Sequence, residues 1–94
     1  MNTAEVLALK EILSTPKNVV IVPHKNPDGD AMGSTLGLYH YLKKIGHSAT
    51  VITPNDYPEF LKWIPGTSEV LIYETQTNKA DSLIAQADLI FTLD

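Results

Sequence analysis

The chain of 94 residues has no cysteine, and its seven basic residues are all lysines. Without cysteine there are no disulfides and no thiolate metal sites, which agrees with a cytoplasmic protein. Arginine is the preferred bidentate binder of phosphate. If the substrate is a phosphate ester, we therefore expect most of its anion-binding groups to lie outside these residues.

Long apolar runs are also missing, since no segment approaches the roughly 20 residues that a membrane span requires. The opening residues carry no basic region typical of a secretory signal peptide. A hydrophobic content of 44% and a net charge of −4 are ordinary for a soluble domain. These numbers predict one small cytoplasmic globular unit with no membrane partner.

Apolar segments with strand and helix patterns alternate along the chain. Asn2 and Glu5 have the spacing of a capping box, which predicts a helix that ends before Pro16. Later helices are predicted at residues 31–45 and 79–87, and strands at residues 18–22, 49–53, 70–73 and 89–93. This order predicts an α/β fold: a Rossmann-like parallel sheet of about four strands with helices on both faces.

Several residues carry finer structural expectations. Gly46 is predicted to end the second helix, and Asn78 to cap the third. Gly33 and Gly37 lie one turn apart, which suggests a close approach of that helix to the sheet or to a ligand. Trp63 is expected to pack in the core.

The most informative segment is the loop His24-Lys25-Asn26-Pro27-Asp28-Gly29-Asp30, which follows the first strand. An imidazole and two carboxylates at the carboxyl end of a buried strand predict a metal site. This donor set suits Mn²⁺, Fe²⁺, Co²⁺ or Zn²⁺ better than Ca²⁺. Asp94 ends the fourth strand and would bridge two ions if the first and fourth strands are neighbours.

Structural explanations of the loop remain open. Asn-Pro-Asp-Gly is a turn sequence, and Asp28 or Asp30 would serve equally as the helix cap. In a non-catalytic α/β module that binds a nucleotide or a partner, the same loop would be only a turn. An EF-hand is disfavoured, because Ala31 stands where the turn glycine should be and Gly37 where the glutamate should be.

Other nearby polar residues are assigned weaker roles. His40 and His47 are expected to be structural or solvated. Ser34 and Thr35 would donate to a phosphate if one lies at the helix N-terminus, although core or capping roles are favoured for both. Lys25 is the lysine within the loop and therefore a candidate for function.

Residues 20–34, with the pattern His-x-x-x-Asp-x-Asp-Ala-x-Gly-Ser, resemble the first motif of the DHH phosphoesterase superfamily. Residues 91–94, which end in Asp94, resemble its second motif. The resemblance implies a two-domain hydrolase with two Mn²⁺ ions, for which Mg²⁺ or Co²⁺ are alternatives. By position, His24 and Asp28 would hold one ion, Asp30 the other, and Asp94 both.

The resemblance also sets the expected domain organisation. Residues 1–94 would be the N-terminal portion of a DHH domain, with the Asp-His-His motif and a C-terminal substrate domain outside this chain. The 94 residues alone are therefore expected to bind metal weakly and to turn over little substrate.

Pro-Asp-Gly-Asp-Ala followed by Gly-Ser resembles one branch of that superfamily, the oligoribonucleases and 3′-phosphoadenosine-5′-phosphate phosphatases. That branch implies a short oligonucleotide or a nucleoside bisphosphate as substrate, and a homodimer of the intact protein is conceivable. Within the superfamily, exopolyphosphatase, pyrophosphatase and cyclic-dinucleotide phosphodiesterase activities stay open as alternatives.

Overall fold

A computed structural model describes residues 3–93 of the chain, apart from the side chain of Phe60. Asn2 of the expected capping box and Asp94 lie outside the described residues. Two 3-10 helices, Glu59–Leu61 and Thr67–Glu69, separate the second and third strands. The remaining elements are α1 Thr3–Ile12, β1 Asn18–Pro23, α2 Gly29–Lys44, β2 Ser48–Thr53, β3 Leu71–Ile72, α3 Thr77–Ala85 and β4 Leu89–Leu93.

The four strands form one parallel sheet in the order β3-β2-β1-β4. The chain moves outward from β1 through β2 and β3, and then returns to add β4 on the other side of β1. The strand order therefore reverses between β1 and β4, whose carboxyl ends lie side by side. In open α/β sheets such a reversal marks the crevice where ligands bind.

The two faces of β1 pack against different helices. Val19 and Ile21 belong to the cluster formed with α2, whereas Val20 and Val22 pack into the cluster that includes α3 residues. Because successive side chains of a strand point to opposite faces, a strand covered on both sides must be apolar throughout. The predicted α/β fold with helices on both faces is confirmed.

The end of α2 is a Schellman motif, as the position of Gly46 predicts. Gly46 has a φ of 97°; its N–H donates to the Lys43 carbonyl, and the His47 N–H donates to the Leu42 carbonyl. His47 itself is buried, and its Nδ1 accepts a hydrogen bond of 3.1 Å from the Lys17 N–H. His47 is therefore structural, as expected.

The start of α3 differs from the prediction. The helix begins at Thr77, so Asn78 lies inside its first turn and is not the N-cap. The turn before the helix is closed instead by Gln76, whose Oε1 accepts from the Ile72 N–H at 3.0 Å. The hydroxyl of Thr77 donates to the Tyr73 carbonyl at 2.6 Å, which draws the helix start towards the strand end.

The prediction that Trp63 lies in the core is wrong, because this residue is 77% exposed. Tyr57 and Leu61 belong to the core cluster instead, and Ile64 packs against it, so the chain stays beside the core while the Trp63 side chain faces solvent. The expected close approach of Gly33 and Gly37 to the sheet is also wrong. A Cβ atom at either glycine would meet no described atom within 4 Å.

The N-terminal helix α1 packs loosely. None of its residues is buried, and Leu7 is 60% exposed. The half-buried Leu9 lines a cleft with Tyr41 and Ile45 of α2 and its C-cap, while Leu13 just after α1 packs against the core. Among residues 3–93, no helix is both long and apolar enough to cross a membrane.

Replacement of Gly66 by alanine is predicted to destabilise the protein. Gly66 has a φ of 98°, and an added Cβ would lie 3.0 Å from His40 Nε2 and 3.3 Å from Leu36 Cδ2. His40 is held there by its hydrogen bond to the Pro65 carbonyl. We expect Gly66→Ala to lower the free energy of unfolding in urea by about 2–3 kcal/mol, from backbone strain and displaced neighbours.

Gly46→Ala is the matched control, because Gly46 has nearly the same φ but a Cβ there would meet no atom within 4 Å. We expect Gly46→Ala to lower the free energy of unfolding by only about 1–2 kcal/mol, from backbone strain alone. Equal losses in the two variants would show that His40 and Leu36 do not restrict position 66.

Candidate metal centre

The loop that carries His24, Asp28 and Asp30 lies at the reversal of strand order. It begins directly after Pro23, and Pro23 pairs with Leu93 of β4. The adjacency of β1 and β4, which the proposed bridging role of Asp94 requires, is therefore confirmed. Asp94 itself lies outside the described residues, so its role as a ligand stays a prediction.

His24 is half-buried, and its ring is oriented by the loop itself. Its Nδ1 lies 2.8 Å from the Lys25 carbonyl oxygen. Because a carbonyl can only accept, Nδ1 carries the proton, and a neutral ring then presents the lone pair of Nε2. Histidines that bind metals are commonly fixed in this way, with the second nitrogen donating to a carbonyl or carboxylate.

Asp28 is the N-cap of α2. Its Oδ1 accepts from the Ala31 N–H at 2.9 Å, while its backbone carbonyl accepts from Met32. The capping explanation of this aspartate is thus correct, but it does not compete with metal binding. A carboxylate has two oxygens, and the cap occupies only Oδ1.

Asp30 lies exposed in the first turn of α2, where the helix dipole favours a negative charge. Within residues 3–93, no group of three or more His, Cys, Asp or Glu side chains is arranged to hold a metal ion. The donor types of His24, Asp28 and Asp30 fit an ion such as Mn²⁺. The described part of the chain supplies these donors without a completed coordination shell.

Asn26 and Asn55 form a contact that the sequence did not reveal. Asn26 has a φ of 54°, its N–H donates to Asn55 Oδ1 at 2.9 Å, and Asn55 Nδ2 donates to Asn26 Oδ1. One sequence signal was available: Asn55 follows β2, and parallel strands bring their carboxyl ends to the same edge. The pairing of these two side chains required the tertiary structure.

The other polar residues near the loop differ in their burial and in their partners. Thr35 is fully buried, so it faces the core rather than a phosphate, and its Oγ1 has no hydrogen-bond partner among the described residues. Ser34 and Lys25 are exposed and remain available to a ligand. Lys62 is engaged locally, 2.9 Å from Glu59 Oε1 and 3.3 Å from Asp56 Oδ1.

Three side chains in the segment after β2, near the loop, have shifted pKa values. The pKa of Asp56 is lowered, first by the hydrogen bond from the Tyr57 N–H and then by Lys62. The pKa of Lys62 is raised, chiefly by its hydrogen bond to Glu59. Burial raises the pKa of the Tyr57 phenol, so all three groups keep their usual charge at neutral pH.

A cleft in the described part of the chain lies away from the loop. A cleft of about 360 Å³ lies along the outer side of β2 and is lined by Tyr39, Lys43, Thr50 and Leu83, among others. None of its lining residues belongs to residues 24–30. We place the candidate site at the loop, because an imidazole and two carboxylates lie there, whereas the cleft offers a single carboxylate, that of Glu69.

The chain is similar to known proteins over most of its length. The DHH family, N-terminal domain, matches residues 18–94 of the chain. Over 51 residues the chain is 45% identical to the bifunctional oligoribonuclease and PAP phosphatase NrnA of Thermus thermophilus. That match covers 54% of this chain but only 15% of the relative.

A solved structure of an exopolyphosphatase-related protein from Bacteroides fragilis is similar over the whole chain. It superposes with a TM-score of 0.94 at 43% sequence identity, covering 99% of this chain. The superposition spans 27% of that protein. The chain therefore corresponds to about a quarter of the relative's length.

The two roles of Asp28 can be separated by substitution. Asn is as good an N-cap as Asp, so we expect Asp28→Asn to change the free energy of unfolding by less than about 0.5 kcal/mol. Asp28→Ala removes the acceptor for the Ala31 N–H and should cost about 1 kcal/mol. Urea unfolding without metal measures both, and equal stability of the two variants would contradict the capping role.

A pH titration tests which interaction lowers the pKa of Asp56. The Tyr57 N–H is the larger cause, so in Lys62→Ala the pKa should rise but stay below the ordinary 3.8. The carboxyl ¹³C chemical shift of Asp56 measures this pKa directly. A return of the pKa to 3.8 in Lys62→Ala would contradict this order of causes. Because the pKa of Asp56 is depressed in the folded state, its ionised carboxylate stabilises the fold above pH 3.8. This stabilisation is lost as the pH falls through the folded-state pKa of Asp56.

Proposed function

The chain belongs to the DHH family, and on this premise we propose that the intact protein is a metal-dependent phosphoesterase. Its proposed substrates are short oligoribonucleotides and 3′-phosphoadenosine-5′-phosphate. The relative from Thermus thermophilus, whose name gives both activities, supports this choice. A cytoplasmic location and a homodimer of the intact protein belong to the same proposal.

The observation that carries the proposal is the orientation of the His24 ring. Its Nδ1 donates to the Lys25 carbonyl, which leaves the Nε2 lone pair to bind a metal, on a loop whose carboxylates are Asp28 and Asp30. This loop stands where β1 and β4 end side by side. A loop built only as a turn would have no need of an oriented imidazole at this place.

In the proposed enzyme, His24 and Asp28 would hold one Mn²⁺, Asp30 would hold the second, and Asp94 would serve both. When bound, the ions supply Lewis acidity towards a phosphoryl oxygen and allow water to act as nucleophile near neutral pH. The cap on Asp28 holds its carboxylate in one orientation, since Oδ1 is bound to the Ala31 N–H. Asp30 contributes a charge from the first turn of α2.

Substrate binding would draw mainly on other parts of the intact protein. Among the lysines of this chain, Lys62 is bound to its own loop, and Lys43 donates to the Tyr39 hydroxyl at 3.2 Å. Lys25 is exposed within the candidate loop. We assign Lys25 to the phosphate side of the substrate, with the remaining anion-binding groups supplied from outside residues 1–94.

An activity panel on the intact protein tests the proposal. With Mn²⁺ present, we expect hydrolysis of diribonucleotides and of 3′-phosphoadenosine-5′-phosphate, and its loss when the metal is chelated. Asp30→Asn should lower kcat by about 100-fold or more, since even loss of a group that hydrogen-bonds a metal ligand costs about 10–100-fold. Glu74→Gln, which neutralises an exposed carboxylate outside the loop, is the control and should retain activity.

Polyphosphate hydrolysis is the second candidate, because the structural relative is described as exopolyphosphatase-related. Polyphosphate and pyrophosphate therefore belong in the same panel, and release of inorganic phosphate from a long chain would favour that activity. If Asp28→Asn and Asp30→Asn changed neither Mn²⁺ affinity nor hydrolysis of any substrate, the loop would be a turn and cap in a non-catalytic module.

A further inference from the structure

Asn26 and Asn55 tie the candidate metal loop to the segment after β2. The Asn26 N–H donates to Asn55 Oδ1 at 2.9 Å, and Asn55 Nδ2 donates back to Asn26 Oδ1. Asn55 therefore contacts both the backbone and the side chain of one residue. Asn26 stands midway between His24 and Asp28, so this contact acts on the stretch that separates two proposed ligands.

The conformation of Asn26 is not the one that its local sequence favours. Asn26 precedes Pro27, and a residue before proline normally takes an extended conformation with negative φ. Here φ is 54°, in the left-handed region that asparagine tolerates better than most residues. Since the local preference points elsewhere, we attribute the conformation of Asn26 to its two hydrogen bonds with Asn55.

Asn55 is suited to this role because its own segment is anchored. Tyr57 is 7% exposed and belongs to the core cluster under α2. The Tyr57 N–H donates to Asp56 Oδ1 at 2.8 Å, and Lys62 lies 3.3 Å from the same oxygen and 5.3 Å from the centre of the Tyr57 ring. Asn55 thus belongs to a segment that is anchored in the core two residues further along the chain.

We propose that Asn55 is a positioning residue for the metal loop. By holding Asn26 in the left-handed conformation, it sets the separation of His24 and Asp28 and thereby the affinity for the ion that they share. This inference rests on the proposed metal-dependent function. It assigns no chemical step to Asn55, which acts only through Asn26.

Substitution of Asn55 should weaken metal binding without removing any ligand. We expect Asn55→Ala to raise the Kd of the intact protein for Mn²⁺ by about tenfold, the lower end of the loss seen when groups that support metal ligands are removed. The Mn²⁺ concentration for half-maximal hydrolysis should rise by the same factor. The value of kcat at saturating Mn²⁺ should change less, because the ligands themselves remain.

Two substitutions of Asn26, by glycine and by alanine, form a matched pair. Glycine adopts positive φ without strain, and Asn26→Gly keeps the N–H that donates to Asn55, so its Mn²⁺ affinity should stay within about threefold of wild type. Asn26→Ala keeps the same N–H but disfavours positive φ, so it should weaken binding as Asn55→Ala does. Asn78→Ala, an exposed asparagine of α3, controls for loss of an amide side chain elsewhere.

The measurement is the electron paramagnetic resonance signal of free Mn²⁺ during titration of the intact protein, with thermal unfolding of each variant followed in parallel. If wild type binds no Mn²⁺, the proposed function fails. If wild type binds Mn²⁺ and Asn55→Ala binds equally well, the function stands and the positioning role is overturned. Should Asn55→Ala not fold, the comparison of Asn26→Gly with Asn26→Ala decides, and equal affinities there overturn the role.

Discussion

The structure depends on the central position of β1, which pairs with β2 on one side and β4 on the other. Both faces of β1 are covered, so its residues must be apolar, and a shift in register would draw the polar Asn18 or His24 into the buried sheet. That constraint fixes where β1 ends and therefore where His24 begins. It also aligns Pro23 with Leu93, bringing the two family motifs to one edge of the sheet.

The loop after β1 combines structural and chemical roles in the same side chains. Asp28 caps α2 with one carboxylate oxygen, and His24 is oriented by a carbonyl only one residue away. Such local bonds leave few rotamers open to either side chain before any ion arrives. Preorganisation of this kind reduces the entropy that ligand binding must overcome, and the anchored Asn55 extends it to the backbone between the two residues.

Much of the architecture was predictable because periodicity and end signals act locally. The apolar run 18–22, the glycine at position 46 and the alternation of strands with helices correctly predicted β1, the end of α2 and the parallel sheet. Asn78 and Trp63 were predicted wrongly for a shared reason. Each has a typical local role, cap or core, but the helix already begins at Thr77, and Tyr57 and Leu61 fill the core near Trp63.

The sequence by itself determined the fold class, the family and the chemical types of the candidate ligands, since these follow from short-range patterns. Tertiary structure alone decided three things: that β4 lies beside β1, that Thr35 faces the core rather than a phosphate, and that Asn26 takes a left-handed turn held by Asn55. These depend on contacts between residues far apart in the chain. Local preference, which for a residue before proline favours extended backbone, pointed the other way at Asn26.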